Sequence, residues 1–504
     1  MATYTVPGVY VSESPLVQNV TRSNTTQSVA AFIGTAPRGP ETPTLINSWS
    51  AFKSYYDDAE VGYELGYSVY HYFANGGRDA YITRAVSASA TAASVVMPYY
   101  PSGVSPSASL FTATANSRGT WGNTLSLKTT KGAIQPTNTT LPTFNLSILL
   151  NNTEVERWNE VSADPANNRY VESVINNFSK YITLTVASSA KTAASTWAPY
   201  DTAAVSLTSG ASGAAVAATD YQTAADKLAT VDGVLIINAP GVTDTATVNY
   251  LIAKAEARGN SFVVIDPTSA TPDTYGSTVA NLYSQSSYAA VYYPMLKMAD
   301  PSKTGPAAIR DTYPGGAVVG AYIRTEVART VAKAPAGFTT DVRNAYGLVS
   351  KPTAAQAGAL YDTYGVNVLK AVPGGGIVIN GARTLDKTTP GKYIPIRRTL
   401  NYVKQGLQDL SAYAVFEPND DRLWSTLTSR SSSFLNDLWK SGGLKGKTPA
   451  EAFYVICDST NNTDESVSQG EVRLEVGVAL QYPAEFIVIS VSQWTGGSNA
   501  VSSL

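Results

Sequence analysis

Residues 234–238, with the sequence VLIIN, and residues 262–266, with the sequence FVVID, are two short apolar runs. Between them, Val248–Arg258 has the pattern of a helix, and a second helix is predicted over Asp220–Thr230. Strands that alternate with helices in this way are typical of an α/β layer built around a largely parallel sheet. We therefore expect such a layer near the centre of the chain.

The same alternation continues on both sides of these runs. Further elements are predicted as strands over Val29–Gly34, Tyr81–Val86 and Tyr288–Tyr293, and as helices over Ser48–Tyr56, Leu65–Phe73 and Ala317–Lys333. Between residues 87 and 189 the composition changes to Ser, Thr, Asn and Ala, with alternating runs such as Thr124–Thr129, Phe144–Leu150 and Tyr181–Val186. This texture predicts an inserted all-β domain.

The last third of the chain has the most regular patterns. A helix is predicted over 396–411, because apolar residues recur at helical spacing: Ile396, Leu400, Val403, Leu407 and Leu410. Another apolar stripe, over 423–439, predicts a second helix that ends at Gly442-Gly443. An apolar strand is predicted over 453–457, and the strict alternation over 472–481 predicts a half-buried strand.

Both ends of the chain favour extended strands that lie outside a core. Near the start, Tyr4, Val6, Val9 and Val11 favour a strand, whereas Pro7 is tolerated only on an edge strand or at a bulge. At the other end, the apolar run Phe486–Val491 follows Pro483 and precedes a polar tail. We interpret these ends as strand-forming arms, with a frayed terminus as the alternative for the first.

Composition excludes several classes of protein. The chain has 504 residues, 36 Lys and Arg against 38 Asp and Glu, and only 15% charged residues, well below the roughly 25% of an average soluble protein. A net charge of −2 lacks the electrostatic footprint of a nucleic-acid binder. The N-terminus does not resemble a secretion signal and no apolar run reaches about 18 residues, so we expect a soluble protein made in a cytoplasm.

Candidate catalytic residues are few. His71 is the only histidine and Cys457 the only cysteine, so internal disulfides and His/Cys metal cages are excluded. His71 lies among Tyr67, Tyr70 and Tyr72, where a packing role is favoured over catalysis. Gly446-Lys447-Thr448 resembles the end of a phosphate loop, but Ser441 occupies the position that requires glycine. We predict no catalytic, cofactor-binding or metal site, although a pair of carboxylates that meet in space stays open.

Five motifs, in order along the chain, resemble those of the tail sheath proteins of contractile bacteriophages. They are Pro7-Gly8-Val9-Tyr10-Val11-Ser12-Glu13, Phe73-Ala74-Asn75-Gly76-Gly77 with Tyr81, Gly381-Ala382-Arg383-Thr384-Leu385, Phe416-Glu417-Pro418-Asn419-Asp420 with Leu423-Trp424, and Gly443-Leu444-Lys445-Gly446 with Ala452-Phe453. The resemblance runs from residue 4 to about residue 494. It also extends to the sheaths of R-type bacteriocins and contractile injection systems.

The resemblance implies a structural subunit without a cofactor. Such subunits stack as hexameric rings around a tail tube and contract to drive the tube through the host envelope for genome delivery. The implied partners are further copies of the chain, the tail tube protein, and baseplate and tail terminator proteins, with no direct nucleic-acid contact and no membrane insertion. The implied location is the sheath of a virion tail that is assembled in the host bacterial cytoplasm.

The resemblance also implies that arms add strands to a sheet in neighbouring subunits, a mode of recognition based on main-chain hydrogen bonds. The expected donor residues are Val6, Val9, Tyr10 and Val11 in one arm and Phe486, Ile487, Val488, Ile489 and Val491 in the other. The expected acceptor residues are Phe453, Val455, Val472, Leu474, Val476 and Val478. Helix 396–411 is expected to face the tube through Arg397, Arg398 and Lys404, or else to expose them to solvent.

The expected fold class is α/β or α+β with several domains: a sheath core, an inserted all-β domain and two extended arms. The expected divisions are an N-terminal arm and linker (1–28), the first part of the core (29–86), the inserted outer domain (87–189), an α/β middle domain (190–370), a C-terminal inner domain of helices and a sheet (371–482), and a C-terminal arm (483–504).

Three alternatives remain. A sheath of an injection system or bacteriocin would share the mechanism without genome delivery. A β-rich adhesin would use residues 87–189 as its binding module, but adhesins usually lack an α/β middle. An enzyme with a carboxylate pair is the third alternative.

Overall fold

The computed structural model describes most of the chain. The described residues are 27–101, 108–134, 141–192, 197–198, 202–268, 270–305, 308–374, 376–388 and 390–485.

A sheet of eight strands forms the centre of the protein. Six neighbouring strands run parallel and an antiparallel strand lies at each edge. In spatial order the strands are β19 (Gly376–Asn380), β18 (Asn367–Val372), β14 (Ala289–Tyr293), β13 (Ser261–Ile265), β12 (Leu235–Asn238), β1 (Val29–Gly34), β3 (Ala80–Arg84) and β2 (Thr44–Ile46). The prediction of an α/β layer around a largely parallel sheet is confirmed.

Both faces of this sheet are buried. Successive side chains of a strand point to opposite faces, so each strand contributes to two apolar clusters. Within β1, Phe32 packs into one apolar cluster and Ile33 into the other. One face is covered by α1 (Trp49–Tyr56), α2 (Glu64–Ala74) and α8 (Gly315–Ala328), and the other by α5 (Ala218–Lys227), α6 (Thr245–Arg258), α7 (Pro272–Leu282) and α9 (Ala354–Tyr364). A small sheet of β15 (Leu296–Ala299), β16 (Ile309–Thr312) and β17 (Ala345–Leu348) extends the first cluster.

A buried carboxylate closes the carboxyl end of the parallel sheet. Asp266 follows β13 and accepts hydrogen bonds from the backbone N–H groups of Gly315, at 2.7 Å, and Gly241, at 3.2 Å. Burial raises the pKa of Asp266 to about 6, although these donors act in the opposite direction. Gly315 begins α8, so the chain's own carboxylate occupies a helix N-terminus of the kind that binds anions in other α/β proteins.

Two further sheets of four strands share one apolar cluster. One contains β10 (Trp197–Ala198), β4 (Ser94–Pro101), β5 (Ala108–Ala115) and β9 (Ile182–Val186), and the other β11 (Val205–Ser206), β6 (Leu125–Lys131), β7 (Thr143–Leu150) and β8 (Thr153–Ser162). The rings of Phe111 and Phe144 stack between them, with centroids 6.3 Å apart.

The description of this region as all-β is wrong. It also contains α3 (Val171–Phe178) and the short α4 (Ser188–Thr192). Val171 and Ile175 are buried at helical spacing, and the side chain of Asn176 pairs with the backbone of Leu184 in β9. The sheets run past residue 189 to Ser206, because β11 pairs with β6.

The C-terminal part consists of helices and a two-stranded sheet. Its elements are α10 (Ile394–Ser411), α11 (Asp421–Lys440), α12 (Pro449–Ala452), β20 (Phe453–Ile456), α13 (Asp464–Ser468) and β21 (Glu475–Val478). The predicted helices over 396–411 and 423–439 are therefore confirmed.

His71 is fully buried in α2. Burial and the positive charge of Arg310 lower the pKa of its imidazole to about 4, although the backbone of Ala299 and the charge of Asp300 act in the opposite direction. The packing role expected for this histidine agrees with its burial.

We expect the imidazole of His71 to stay neutral until the pH falls to about 4. The unfolded chain binds this proton near pH 6.5, so the native state should lose stability as the pH falls from 6.5 toward 4. From pH 7 to pH 5 the loss should be about 2 kcal/mol relative to a His71→Met variant.

Because His71 is the only histidine, histidine-selective isotope labelling gives a single imidazole signal for NMR titration. Urea unfolding of both proteins at pH 7 and pH 5 measures the linked free energy. A titration midpoint near 6.5 would contradict the prediction.

Candidate assembly interface

Helix α10 joins the C-terminal part to the eight-stranded sheet. On one face, Val403 and Leu407 pack with Leu435 and Leu438 of α11 and with Val476 of β21. This is the face that the sequence pattern predicts, and it supports the two-stranded sheet.

The other face of α10 lies across the starts of the parallel strands. The side-chain amide of Asn401 donates to the carbonyl of Ser261, the first residue of β13, at 2.8 Å. Arg397 donates to the hydroxyl of Tyr288, just before β14, at 2.9 Å. Asn260 donates to Gln405 at 2.5 Å. The polar side chains of α10 therefore pair with the chain itself.

Arg398 makes the strongest of these interactions. Its guanidinium forms a salt bridge with Glu326 of α8, and the two side chains are 2% and 7% exposed. Arg398 also donates to the hydroxyl of Ser28 at 3.2 Å, and the backbone N–H of Ser28 donates to Glu326 at 2.9 Å. This cluster therefore joins α10, α8 and the residue that precedes β1.

The prediction that Arg397, Arg398 and Lys404 face a tube or solvent is wrong. These residues are 8%, 2% and 9% exposed within the chain. A polar helix face signals water or a partner only when no polar surface of the same fold covers it. Here the starts of the strands supply hydroxyl and carbonyl groups that the helix pattern does not reveal.

Strands β20 and β21 pair antiparallel, with Phe453 opposite Val478 and Val455 opposite Val476. These four predicted acceptor residues are therefore brought together. In the part of the chain that the structure describes, no third strand pairs with either one. Each strand consequently has an outer edge without a strand neighbour, and such edges are templates for further strands.

The strand predicted over 472–481 is shorter than expected. The backbone of Arg473 pairs with the side chain of Asn462 instead of β20, through bonds of 2.6 and 2.9 Å. Val472 and Leu474, the other predicted acceptor residues, precede β21 and pack against Cys457 and Trp424. They support the sheet from outside the paired segment.

A groove of about 450 Å³ lies between α11 and β20. Trp424, Ser425 and Thr428 line it from the helix, and Val455 and Cys457 from the strand side. Burial raises the pKa of the Cys457 thiol to about 11, although a hydrogen bond from Asn462 opposes this shift, so the thiol is protonated at neutral pH.

The residues predicted to donate strands lie outside the described part of the chain. They are Val6, Val9, Tyr10, Val11, Phe486, Ile487, Val488, Ile489 and Val491. Their role therefore stays a prediction.

The sequence pattern did not predict that Glu326 is a buried partner of Arg398. The signal was a carboxylate near the end of the largely apolar helix predicted over Ala317–Lys333. Among the residues with described positions, no cluster of three or more His, Cys, Asp or Glu side chains could hold a metal ion, and no helix is long and apolar enough to cross a membrane.

The fold is similar to that of solved sheath proteins. The sheath of an extracellular contractile injection system (PVC), solved in the contracted state, is matched over 98% of this chain and 99% of that chain, with a TM-score of 0.56 and 20% identity. The sheath tail protein of Listeria innocua is matched over 87% and 90%, with a TM-score of 0.61 and 12% identity. The chain has the fold of these sheath proteins.

Sequence comparison agrees. Residues 386–493 match the phage tail sheath C-terminal domain family. The tail sheath protein of Vibrio phage KVP40 is 27% identical over 158 residues, which cover 31% of this chain and 22% of that protein. The chain thus matches less than a quarter of this curated relative's length. The resemblance to tail sheath proteins inferred from the motifs is confirmed.

Replacement of Glu326 by Gln should lower the free energy of unfolding by about 3 kcal/mol, because it leaves the Arg398 charge buried without its ionic partner. Urea unfolding measures the change. Glu471→Gln is the matched control, since Glu471 pairs with Arg473 at the surface and should change stability by less than about 0.5 kcal/mol. Equal effects of the two substitutions would contradict this account.

Proposed function

We propose that this chain is the structural subunit of a contractile sheath. It polymerises as stacked hexameric rings around a tail tube and contracts to drive the tube through a host envelope. The observation that carries the proposal is the two-stranded sheet β20–β21, whose outer edges have no strand neighbour among the described residues, in a chain whose two ends have strand-forming sequences. The fold match to contractile sheaths supports it.

In this proposal the chain ends of neighbouring copies complete the sheet. An added strand contributes main-chain hydrogen bonds, each worth about 1 kcal/mol net, and its alternate side chains fill pockets. The groove between α11 and β20 supplies room beside one strand for such side chains. A few main-chain hydrogen bonds give each contact a modest affinity. In a closed lattice every copy makes several such contacts, so the assembly as a whole is stable.

The arms also account for movement without dissociation. Because each arm is covalently part of one copy and paired with another, copies can slide and rotate while the pairing persists. The extended sheath is then a metastable lattice, and contraction leads to a packing with more surface buried between copies. Residues 87–189 form an outer domain in this scheme, and the tube, baseplate and terminator proteins are the other partners.

Two biological settings fit this function. A phage tail would deliver a genome, and the match of residues 386–493 to the phage family favours it. An injection system or bacteriocin would use the same stroke without a genome, and the match to the PVC sheath over 98% of the chain favours that alternative. Neighbouring capsid and portal genes would distinguish the two.

Deletion of residues 1–12 should abolish long sheaths, because it removes the first strand donor while leaving the described body intact. Negative-stain electron microscopy of the purified protein measures the length of striated hollow cylinders. Sheaths of normal length from the shortened chain would refute the role of the arm.

A synthetic peptide of residues 3–13 should inhibit assembly of the full chain by competing for the acceptor edge. The matched control has the same side chains but methyl groups on alternate backbone nitrogens, which removes hydrogen-bond donors from one edge. Only the unmodified peptide should inhibit. Equal inhibition by both peptides would show that side chains alone account for binding.

A further inference from the structure

Glu485, the last residue that the structure describes, is held by a bidentate salt bridge. The guanidinium of Arg383 donates to its two carboxylate oxygens at 3.1 and 2.7 Å, and the side chains are 5% and 10% exposed. The hydroxyl of Tyr361 also donates to Glu485, while the Tyr361 ring centroid lies 4.0 Å from the guanidinium. Burial alone would raise the pKa of Glu485, but the bonds from Arg383 and Tyr361 lower it below the usual value.

Packing alone does not fix the segment that ends at Glu485. Residues 481–485 border a groove of about 1250 Å³, and the Tyr482 side chain is largely exposed. Gln481 donates to the carbonyls of Gly442 and Leu444. The position of Glu485 therefore depends on its ionic and hydrogen-bonded contacts.

The other end of the described body has a cluster of the same chemistry. Ser28 is bound to the Arg398–Glu326 pair through both its backbone N–H and its hydroxyl. A buried arginine–carboxylate pair thus lies next to each end of the described body, at Ser28 and at Glu485. The Arg383–Glu485 pair is bidentate, whereas Arg398 bonds Glu326 and Ser28 through one nitrogen. Charge-assisted hydrogen bonds are short-ranged and directional, so they fix a point and a direction better than apolar contact does.

The two pairs differ in their distance from the predicted strands along the chain. Glu485 directly precedes Phe486–Val491. In contrast, residues 12–27 separate Val11 from Ser28, and this stretch can span at most about 55 Å when fully extended.

We propose that the Arg383–Glu485 pair is a positioning clamp that aims the C-terminal strand at one neighbouring copy, whereas the Ser28 cluster anchors a tether of long reach. This inference rests on the proposed function, since it assigns separate roles to the two arms. Force between neighbouring copies is transmitted to the folded body through Glu485 and Ser28. The C-terminal strand sets the geometry of the lattice, and the N-terminal strand keeps contact over a range of separations.

The test compares Glu485→Gln with Asp362→Asn. Asp362 also pairs with Arg383, at 2.9 Å, but it is exposed and lies on α9. Glu485→Gln should reduce the fraction of chain in sheaths by about tenfold, because it removes a charged hydrogen-bond pair. Asp362→Asn should change this fraction by less than about twofold. Sedimentation and electron microscopy measure assembly.

Amide hydrogen exchange on the free subunit tests the clamp without assembly. Exchange in residues 481–485 should rise about tenfold in Glu485→Gln, with the eight-stranded sheet unchanged. Tyr361→Phe removes only the hydroxyl donor and should give a smaller rise of the same kind, which keeps the test valid if Glu485→Gln folds poorly. Unchanged exchange in both variants would overturn the clamp.

A chain in which Gly and Ser replace residues 486–491 separates this inference from the proposed function. Normal sheaths from that chain would overturn the role of the C-terminal strand itself. Failure of that chain combined with normal assembly of Glu485→Gln would overturn only the clamp. Failure of both, with Asp362→Asn assembling normally, is the expected result.

Discussion

The contact between the polar face of α10 and the starts of three parallel strands is the interaction on which this structure depends most. It joins the C-terminal part to the eight-stranded sheet through Asn401, Arg397 and Arg398. A buried charge is costly unless it is paired and hydrogen-bonded, and Arg398 has both a carboxylate and a hydroxyl partner. The contact is therefore specific, because few other placements of α10 would satisfy these groups.

This contact also explains how the two-stranded sheet β20–β21 is held in place beside the α/β body. The apolar face of α10 packs against β21, while its polar face is bound to the eight-stranded sheet. The pair β20–β21 is thus held in place from within the chain, and its outer edges have no strand neighbour among the described residues. A two-stranded sheet is marginal by itself, so the packing of α10 and α11 supplies the support that it needs within the chain.

The elements that follow a single period could be predicted from the sequence. The strand at Val29–Gly34 matches its predicted bounds, and the stripe from Ile396 to Leu410 identified α10 and its buried face. The predictions that were wrong concern residues whose burial or pairing depends on a contact with a distant part of the chain. The polar face of α10 is covered by the sheet, and Asn462 takes the backbone bonds of Arg473 that would have lengthened β21. Arg383 stood in a recognised motif, but its partner Glu485 is 102 positions away, and no local pattern connects them.

Because both faces of α10 are buried, we expect the C-terminal part to move with the central sheet as one unit. The stroke of the proposed sheath must then come from exchanges of surface between copies rather than from strain stored inside each copy. We therefore expect substitutions that change the extent or rate of sheath contraction to lie on the surface of the subunit. Substitutions in the residues that pack against α10 should instead change the stability of the subunit, and so the amount of folded protein.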